Sequence, residues 1–196
     1  MRCLDGGSSP PISTNKILLM CVCDDKKWYA VRVTYSRELK FQALLQESGF
    51  QTFVPMTRRT VEKHGKKEIK LVPAISNLCF VYSVRIELDE FMRGLGEACP
   101  ARYIWDKSTR QPIVVPTKAM DDFMKISLAL VDDVLYLQEI SPKLREGLKV
   151  KVKTGPFEGV EGTIIRVKRS RRVMVELPGM LAIATTFVKA EELEIL

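Results

Sequence analysis

A chain of 196 residues is long enough for one medium-sized domain or for two small ones. Hydrophobic residues make up 46% of it and charged residues 28%, a composition typical of globular proteins that excludes disorder throughout. The formal net charge of +7 favours polyanionic neighbours, such as nucleic acid or the acidic surface of a nucleic-acid machine. Charge alone does not establish such a partner, because many basic proteins owe their charge to solubility.

Residue counts argue against a catalytic or metal site. The five cysteines show no metal or redox spacing, and the single histidine, His64, cannot supply a triad or a metal set. The chain has no phosphate-binding glycine loop before a helix and no nucleophile elbow. We therefore expect no catalytic residues, no metal, no cofactor and no enzymatic activity, in a cytoplasmic protein with reduced thiols.

Residues 1–26 are predicted to be a disordered leader. Residues 6–11 are rich in glycine, serine and proline, and the apolar run at residues 17–23 is too short to span a bilayer. The run also lacks the flanking features of a secretory signal. No membrane association is expected.

Residues 27–127 are predicted to form the first folded domain. It begins with a half-buried strand at residues 28–33. A helix follows, with Ser36 as its N-cap and Gly49 at its end. Further strands are expected at residues 50–55, 77–86 and 102–105, with helices at residues 88–93 and after a capping Thr117. Helices that return to one antiparallel sheet give an α+β sandwich.

The segment at residues 57–70 is mostly charged and predicts a protruding hairpin around His64 and Gly65. Its cations are candidates for contact with DNA or RNA phosphates, which would be salt-sensitive and independent of base sequence. The alternative is a solvated hairpin without a ligand. The cations are Arg58, Arg59, Lys63, Lys66, Lys67 and Lys70.

The sequence changes character after a predicted linker at residues 128–146. Five short β-branched runs, separated by tight turns, indicate a small closed barrel over residues 147–196, because closure removes exposed strand edges. A second basic cluster lies between two of these runs. It could contact nucleic acid, or it could be basic for solubility alone. Its candidate residues are Lys168, Arg169, Arg171 and Arg172.

The most specific pattern is G-x-x-V-x-V-x-x-G-P-F-x-G-x-x-G, which ends at Gly162. Gly155 and Pro156 predict a turn after the first strand, and Phe157 is expected to place its ring at the barrel mouth. Gly159 and Gly162 are expected to provide positive φ and close backbone approach. The pattern resembles a KOW motif in an SH3-like barrel.

The first domain resembles the N-terminal (NGN) domain of NusG-type transcription factors. The likeness includes residues 28–31 (WYAV), 53–56 (FVPM) and 73–81 (PAISNLCFV). Together with the KOW-like barrel, it implies a monomeric transcription elongation and antitermination factor, similar to the specialised RfaH and UpxY-type paralogues. The resemblance further implies that the first domain binds the β′ clamp helices of RNA polymerase and that the barrel recruits a second partner. The implied polymerase contacts are Arg32, Leu78 and Phe80.

Two alternatives remain open at this point, and the sequence departs from the family pattern at one position. Leu78 and Phe80 share one face of their strand, so both could belong to the core instead. Pro178 precedes Gly179 where housekeeping family members carry an exposed phenylalanine, which weakens a link to a ribosomal protein or to Rho. KOW barrels also occur in ribosomal proteins, and the alternative function is therefore a ribosome-associated RNA-binding protein.

Overall fold

The computed structural model describes residues 26–63, 66–129, 134–137, 147–167 and 170–196. Nearly all of the predicted leader and most of the predicted linker lie outside these ranges. Within them, the chain forms an N-terminal unit of mixed α/β structure and a β-rich C-terminal unit. None of the helices in the described ranges has the length and apolar content needed to cross a lipid bilayer.

The N-terminal unit contains seven strands and three α-helices among the described residues. The strands are β1 (Lys27–Val33), β2 (Gln51–Phe53), β3 (Met56–Lys63), β4 (Lys66–Pro73), β5 (Leu78–Ser83), β6 (Ala101–Tyr103) and β7 (Val114–Val115). The helices are α1 (Glu38–Glu47), α2 (Arg85–Gly94) and α3 (Thr117–Leu128). Strands β2-β5-β1-β6 form an antiparallel sheet in that order, and β7 also pairs with β1. The predicted antiparallel α+β architecture is confirmed.

Alternation along β1 distributes side chains between two hydrophobic layers. Tyr29 and Val31 join the cluster that contains residues of α1 and α2. Trp28 and Ala30 join the cluster that contains residues of α3. Because successive strand residues point to opposite faces, both faces of the central sheet are covered by helices.

The helix boundaries correct two capping predictions. Ser36 has φ of 50°, outside the extended region that an N-cap normally adopts, and α1 begins at Glu38 without a side-chain cap. Thr117 is already helical, and the N-cap position is taken by Pro116, whose φ is −57°. The predicted end of α1 is confirmed, since Gly49 follows it with φ of 85°.

The C-terminal unit is a six-stranded antiparallel sheet in the order β13-β9-β10-β11-β12-β8. Its strands are β8 (Leu135–Leu137), β9 (Lys149–Val152), β10 (Glu161–Val167), β11 (Ser170–Leu177), β12 (Leu181–Ala184) and β13 (Leu193–Ile195). A 3-10 helix at Ala190–Glu192 precedes β13. The five predicted β-branched runs supply β9 to β13. Strand β8 comes from the predicted linker and pairs with β12, so part of that segment belongs to the sheet.

Candidate functional site

The face of the central sheet that carries the implied polymerase contacts is mostly covered. Leu78 is 3% exposed and Phe80 is fully buried, whereas Arg32 of the neighbouring strand is exposed. The ring of Phe123 in α3 lies edge-on to Phe80, with ring centroids 5.7 Å apart. In this arrangement Leu78 and Phe80 are core residues, and Arg32 alone of the three faces solvent.

A strained turn leads into β5 beside this face. Asn77 has φ of 63°, and its backbone N–H donates to the carboxylate of Glu38, the first residue of α1. The Asn77 carbonyl accepts the N–H of Val33 at 3.0 Å, which fixes the turn to β1. Burial, together with the nearby Glu38 charge, raises the pKa of Cys79 to about 12. This thiol is therefore protonated at neutral pH and is not a nucleophile.

The KOW-like loop between β9 and β10 packs against α3. Phe157 is 3% exposed and belongs to the same apolar cluster as Met120 and Phe123. The glycines act as the sequence suggests. Gly155 and Gly159 have φ of 92° and 83°, and a Cβ on Gly162 would lie 2.3 Å from the Met174 carbonyl oxygen. Pro156 is exposed in the same turn.

Three polar side chains of α3 hold this loop, and we call Lys118, Asp122 and Lys125 the α3 contact. Lys118 donates to the Gly159 carbonyl at 3.1 Å and pairs with Asp122 at 2.8 Å. Lys125 donates to the Glu158 carbonyl. Asp122 is buried and accepts a backbone N–H from β10 at 3.3 Å. These residues were not among those predicted from the sequence, although the four-residue spacing of Lys118 and Asp122 is typical of a helical ion pair.

The predicted basic hairpin is present as a separate two-stranded sheet of β3 and β4. One face carries three cross-strand pairs whose side chains are all exposed: Arg58 with Leu71, Thr60 with Ile69, and Glu62 with Lys67. The other face carries Arg59 opposite Lys70. Lys70 also pairs with Glu68 at 3.3 Å. The side chains of Lys63 and Lys66 lie outside the described part of the chain. The hairpin therefore presents cations and aliphatic groups to solvent together.

The second basic cluster is divided by the structure. Lys168 and Arg169 lie outside the described residues. Arg171 is partly exposed and lies opposite Arg166. Arg172 is 6% exposed and donates to the carbonyl of Thr185 at 2.9 Å, so its guanidinium is not presented to a ligand. Strand alternation places Arg171 and Arg172 on opposite faces, but the sequence pattern does not show which of the two faces is buried.

A cleft of about 340 Å³ lies where the two units meet. Its N-terminal lining includes Arg32, Leu78 and Ile104, and its C-terminal lining is the turn from Gly179 to Leu181. Within the described ranges, no three His, Cys, Asp or Glu side chains come together as a metal-binding group. The lining of the cleft combines apolar side chains with the guanidinium of Arg32, so the cleft is a mixed apolar and cationic surface.

Comparison with known proteins identifies the family. Residues 26–124, about half of the chain, match the family model described as transcription termination factor NusG. No curated protein sequence matches the chain. Among solved structures, one described as domain interaction in Thermotoga maritima NusG is 19% identical, covering 88% of this chain and 98% of that one with a TM-score of 0.45. The family model spans β1 to most of α3, and on that match the chain belongs to the NusG family.

Proposed function

We propose that the protein is a transcription elongation and antitermination factor of a specialised, RfaH- or UpxY-like kind, without enzymatic activity. Its N-terminal unit binds the β′ clamp helices of RNA polymerase, and its C-terminal unit recruits a second partner. The observation that carries the proposal is the NusG family match across the N-terminal unit. The protein acts as a monomer and needs no cofactor.

The topology of the C-terminal unit supports its assignment as a KOW domain with an SH3-like barrel. Strands β9 to β12 follow one another as antiparallel neighbours, and the last strand, β13, returns to pair with β9 after a 3-10 helix. The positive φ values of Gly155 and Gly159 and the close approach at Gly162 support the KOW motif. Pro178 and Gly179 are exposed in the turn where housekeeping members carry their phenylalanine, which weakens a link to a ribosomal protein or to Rho.

Polymerase binding through the Leu78 face requires rearrangement. Leu78 is buried, and the C-terminal residues Met180 and Leu181 line the same cleft. A clamp helix can reach this face only if the C-terminal unit moves away from α3. The bonds from the exposed Lys118 and Lys125 are individually weak and oppose this movement little. The bond of buried Asp122 and the apolar packing of Phe157 are the main cost of release.

The β3–β4 hairpin supports an accessory contact with nucleic acid. The charged side chains that the structure describes on its two faces are exposed, so they can follow a phosphate backbone without displacing core residues. Such contacts would be independent of base sequence and would weaken as salt increases.

The test is binding of the full-length protein to a purified β′ clamp-helix fragment, measured by surface plasmon resonance. We expect saturable binding to the fragment and no saturable binding to ribosomal RNA at 150 mM salt. Absence of fragment binding would contradict the polymerase assignment. Tight ribosomal RNA binding in its place would favour the ribosome-associated alternative. The burial of Arg172 counts against that alternative, because it removes one cation from the basic cluster of the barrel.

A further inference from the structure

Two arginines on neighbouring strands of the central sheet lie directly opposite each other. Arg32 of β1 and Arg102 of β6 are direct partners in the antiparallel register, and both side chains are exposed. Directly opposed residues of antiparallel strands project to the same face with Cβ atoms about 5 Å apart. Like charges at that distance destabilise a sheet, so placing these two cations opposite each other does not itself stabilise the fold.

No acidic side chain compensates this pair within the described part of the chain. Arg102 donates to the carbonyls of Ala101 at 2.8 Å and Cys99 at 3.4 Å, both on its own strand or just before it. Glu38, beside the same end of the sheet, is 2% exposed and accepts the Asn77 N–H. The two positive charges are therefore left for solvent or for an external anion.

The surroundings indicate which kind of anion would fit. Arg32 lines the cleft of about 340 Å³, whose N-terminal wall also contains Ile75, Leu78 and Ile104. A phosphate backbone offers nothing apolar to such a wall. A protein segment can combine a carboxylate with neighbouring apolar side chains, and the planar guanidinium binds carboxylates through paired hydrogen bonds.

We propose that Arg32 and Arg102 form a docking point for an acidic side chain of a protein partner whose adjacent apolar residues enter the cleft. The inference rests on the proposed function, in which that partner is the polymerase clamp-helix surface. Both arginines are exposed while Leu78 is still covered. The pair therefore meets the partner before the C-terminal unit is released, and it acts on the encounter rather than on the final contact.

The test uses the full-length protein and the β′ clamp-helix fragment, with association and dissociation rates measured at 50 and 300 mM salt. Because exposed interface charges act mainly on association, Arg102→Glu should slow association about fivefold or more at low salt. It should also reduce the salt dependence of association and leave dissociation within about twofold of wild type. Arg102→Gln should give an intermediate rate. Arg93→Glu is the matched control, an exposed arginine in α2 on the opposite side of the sheet, and should have little effect.

Each other outcome has a defined meaning. If wild type binds the fragment and Arg102→Glu associates at the wild-type rate, the docking point is refuted while the polymerase assignment stands. If Arg102→Glu weakens binding to duplex DNA and leaves fragment binding unchanged, the pair serves phosphates and the inference is also refuted. If wild type does not bind the fragment, the docking point and the proposed function fail together. Circular dichroism of each variant establishes that the fold is retained.

Discussion

The two basic hairpins of this protein look alike in sequence but differ in their surroundings. The β3–β4 hairpin forms a sheet of its own, with Arg59 and Lys67 exposed on its two faces. The β10–β11 hairpin lies inside a six-stranded sheet, and Arg172 there is buried against Thr185. A run of cations therefore predicts a binding surface only where nothing packs against the face that carries their side chains. The first hairpin is suited to contact a partner, whereas in the second Arg172 supports the fold.

Gly162→Ala should give the largest loss of unfolding free energy. This variant tests the structural role of the second hairpin. A Cβ would lie 2.3 Å from the Met174 carbonyl oxygen and 2.9 Å from a Val173 methyl group, so the two strands must separate. Overpacking of this kind costs about 1–3 kcal/mol or more of unfolding free energy, measurable by urea denaturation. Gly94→Ala is the control: nothing lies within 4 Å, and its unfolding free energy should stay equal or rise slightly. Equal stability of the two variants would contradict the close approach.

The difference in stability between Arg172→Met and Arg171→Met should be the next largest effect. Arg172→Met keeps an apolar stem but leaves the buried Thr185 carbonyl without its donor, which costs about 1–3 kcal/mol. Arg171 is partly exposed, and its replacement should change stability by less than about 0.5 kcal/mol. Thermal and urea denaturation of both variants measure the difference. If both variants lost equally little unfolding free energy, Arg172 would be as available to a ligand as Arg171. The proposed difference between the two hairpins would then be wrong.

Lys118→Ala with Lys125→Ala should loosen the contact between the two units. The double variant removes the donors to the Gly159 and Glu158 carbonyls. It also removes the cation paired with buried Asp122, so it should cost about 1–3 kcal/mol. Hydrogen exchange of the amides between β9 and β10 should become faster. Binding to the clamp-helix fragment should become tighter, because less free energy is needed to uncover Leu78.

Lys151→Ala provides the control for the α3 contact. Lys151 pairs with Glu161 at 3.5 Å within the C-terminal sheet. Glu161 also lies 3.9 Å from Lys118, so this variant removes an ion pair of the sheet while all three side chains of the α3 contact stay in place. In this variant, the hydrogen-exchange rates of the amides between β9 and β10 and the affinity for the clamp-helix fragment should match those of the wild type. Equal fragment binding by all three proteins would show that the α3 contact does not limit access to Leu78.

Arg59→Ala with Lys67→Ala should have the smallest effect on stability and a clear effect on nucleic-acid binding. Both side chains are exposed, so the unfolding free energy should change by less than about 0.5 kcal/mol. The plot of log binding constant against log salt for duplex DNA should become shallower by about 2, close to one unit for each lost phosphate contact. Lys40→Ala, an exposed lysine on α1, should leave the slope unchanged. An unchanged slope in the double variant would remove the functional difference between the two hairpins.

Local sequence determined most of the secondary structure. The β-branched runs after residue 147 supply strands β9 to β13, and the charged segment around residues 57–70 forms the β3–β4 hairpin. Glycine positions were also readable, since positive φ and close approach exclude other residues. The two caps were misassigned because the sequence does not show that Ser36 adopts a left-handed backbone or that Pro116 already sets the start of α3.

Tertiary structure alone decided which of the candidate residues are accessible. Strand alternation places Leu78 and Phe80 on one face, but whether that face meets solvent depends on α3 and the C-terminal unit, which come from distant parts of the chain. The same holds for the burial of Arg172 and for the pairing of Arg32 with Arg102. A period of two residues specifies which side chains share a face, whereas burial depends on the layer that packs against that face, and no local pattern encodes that layer.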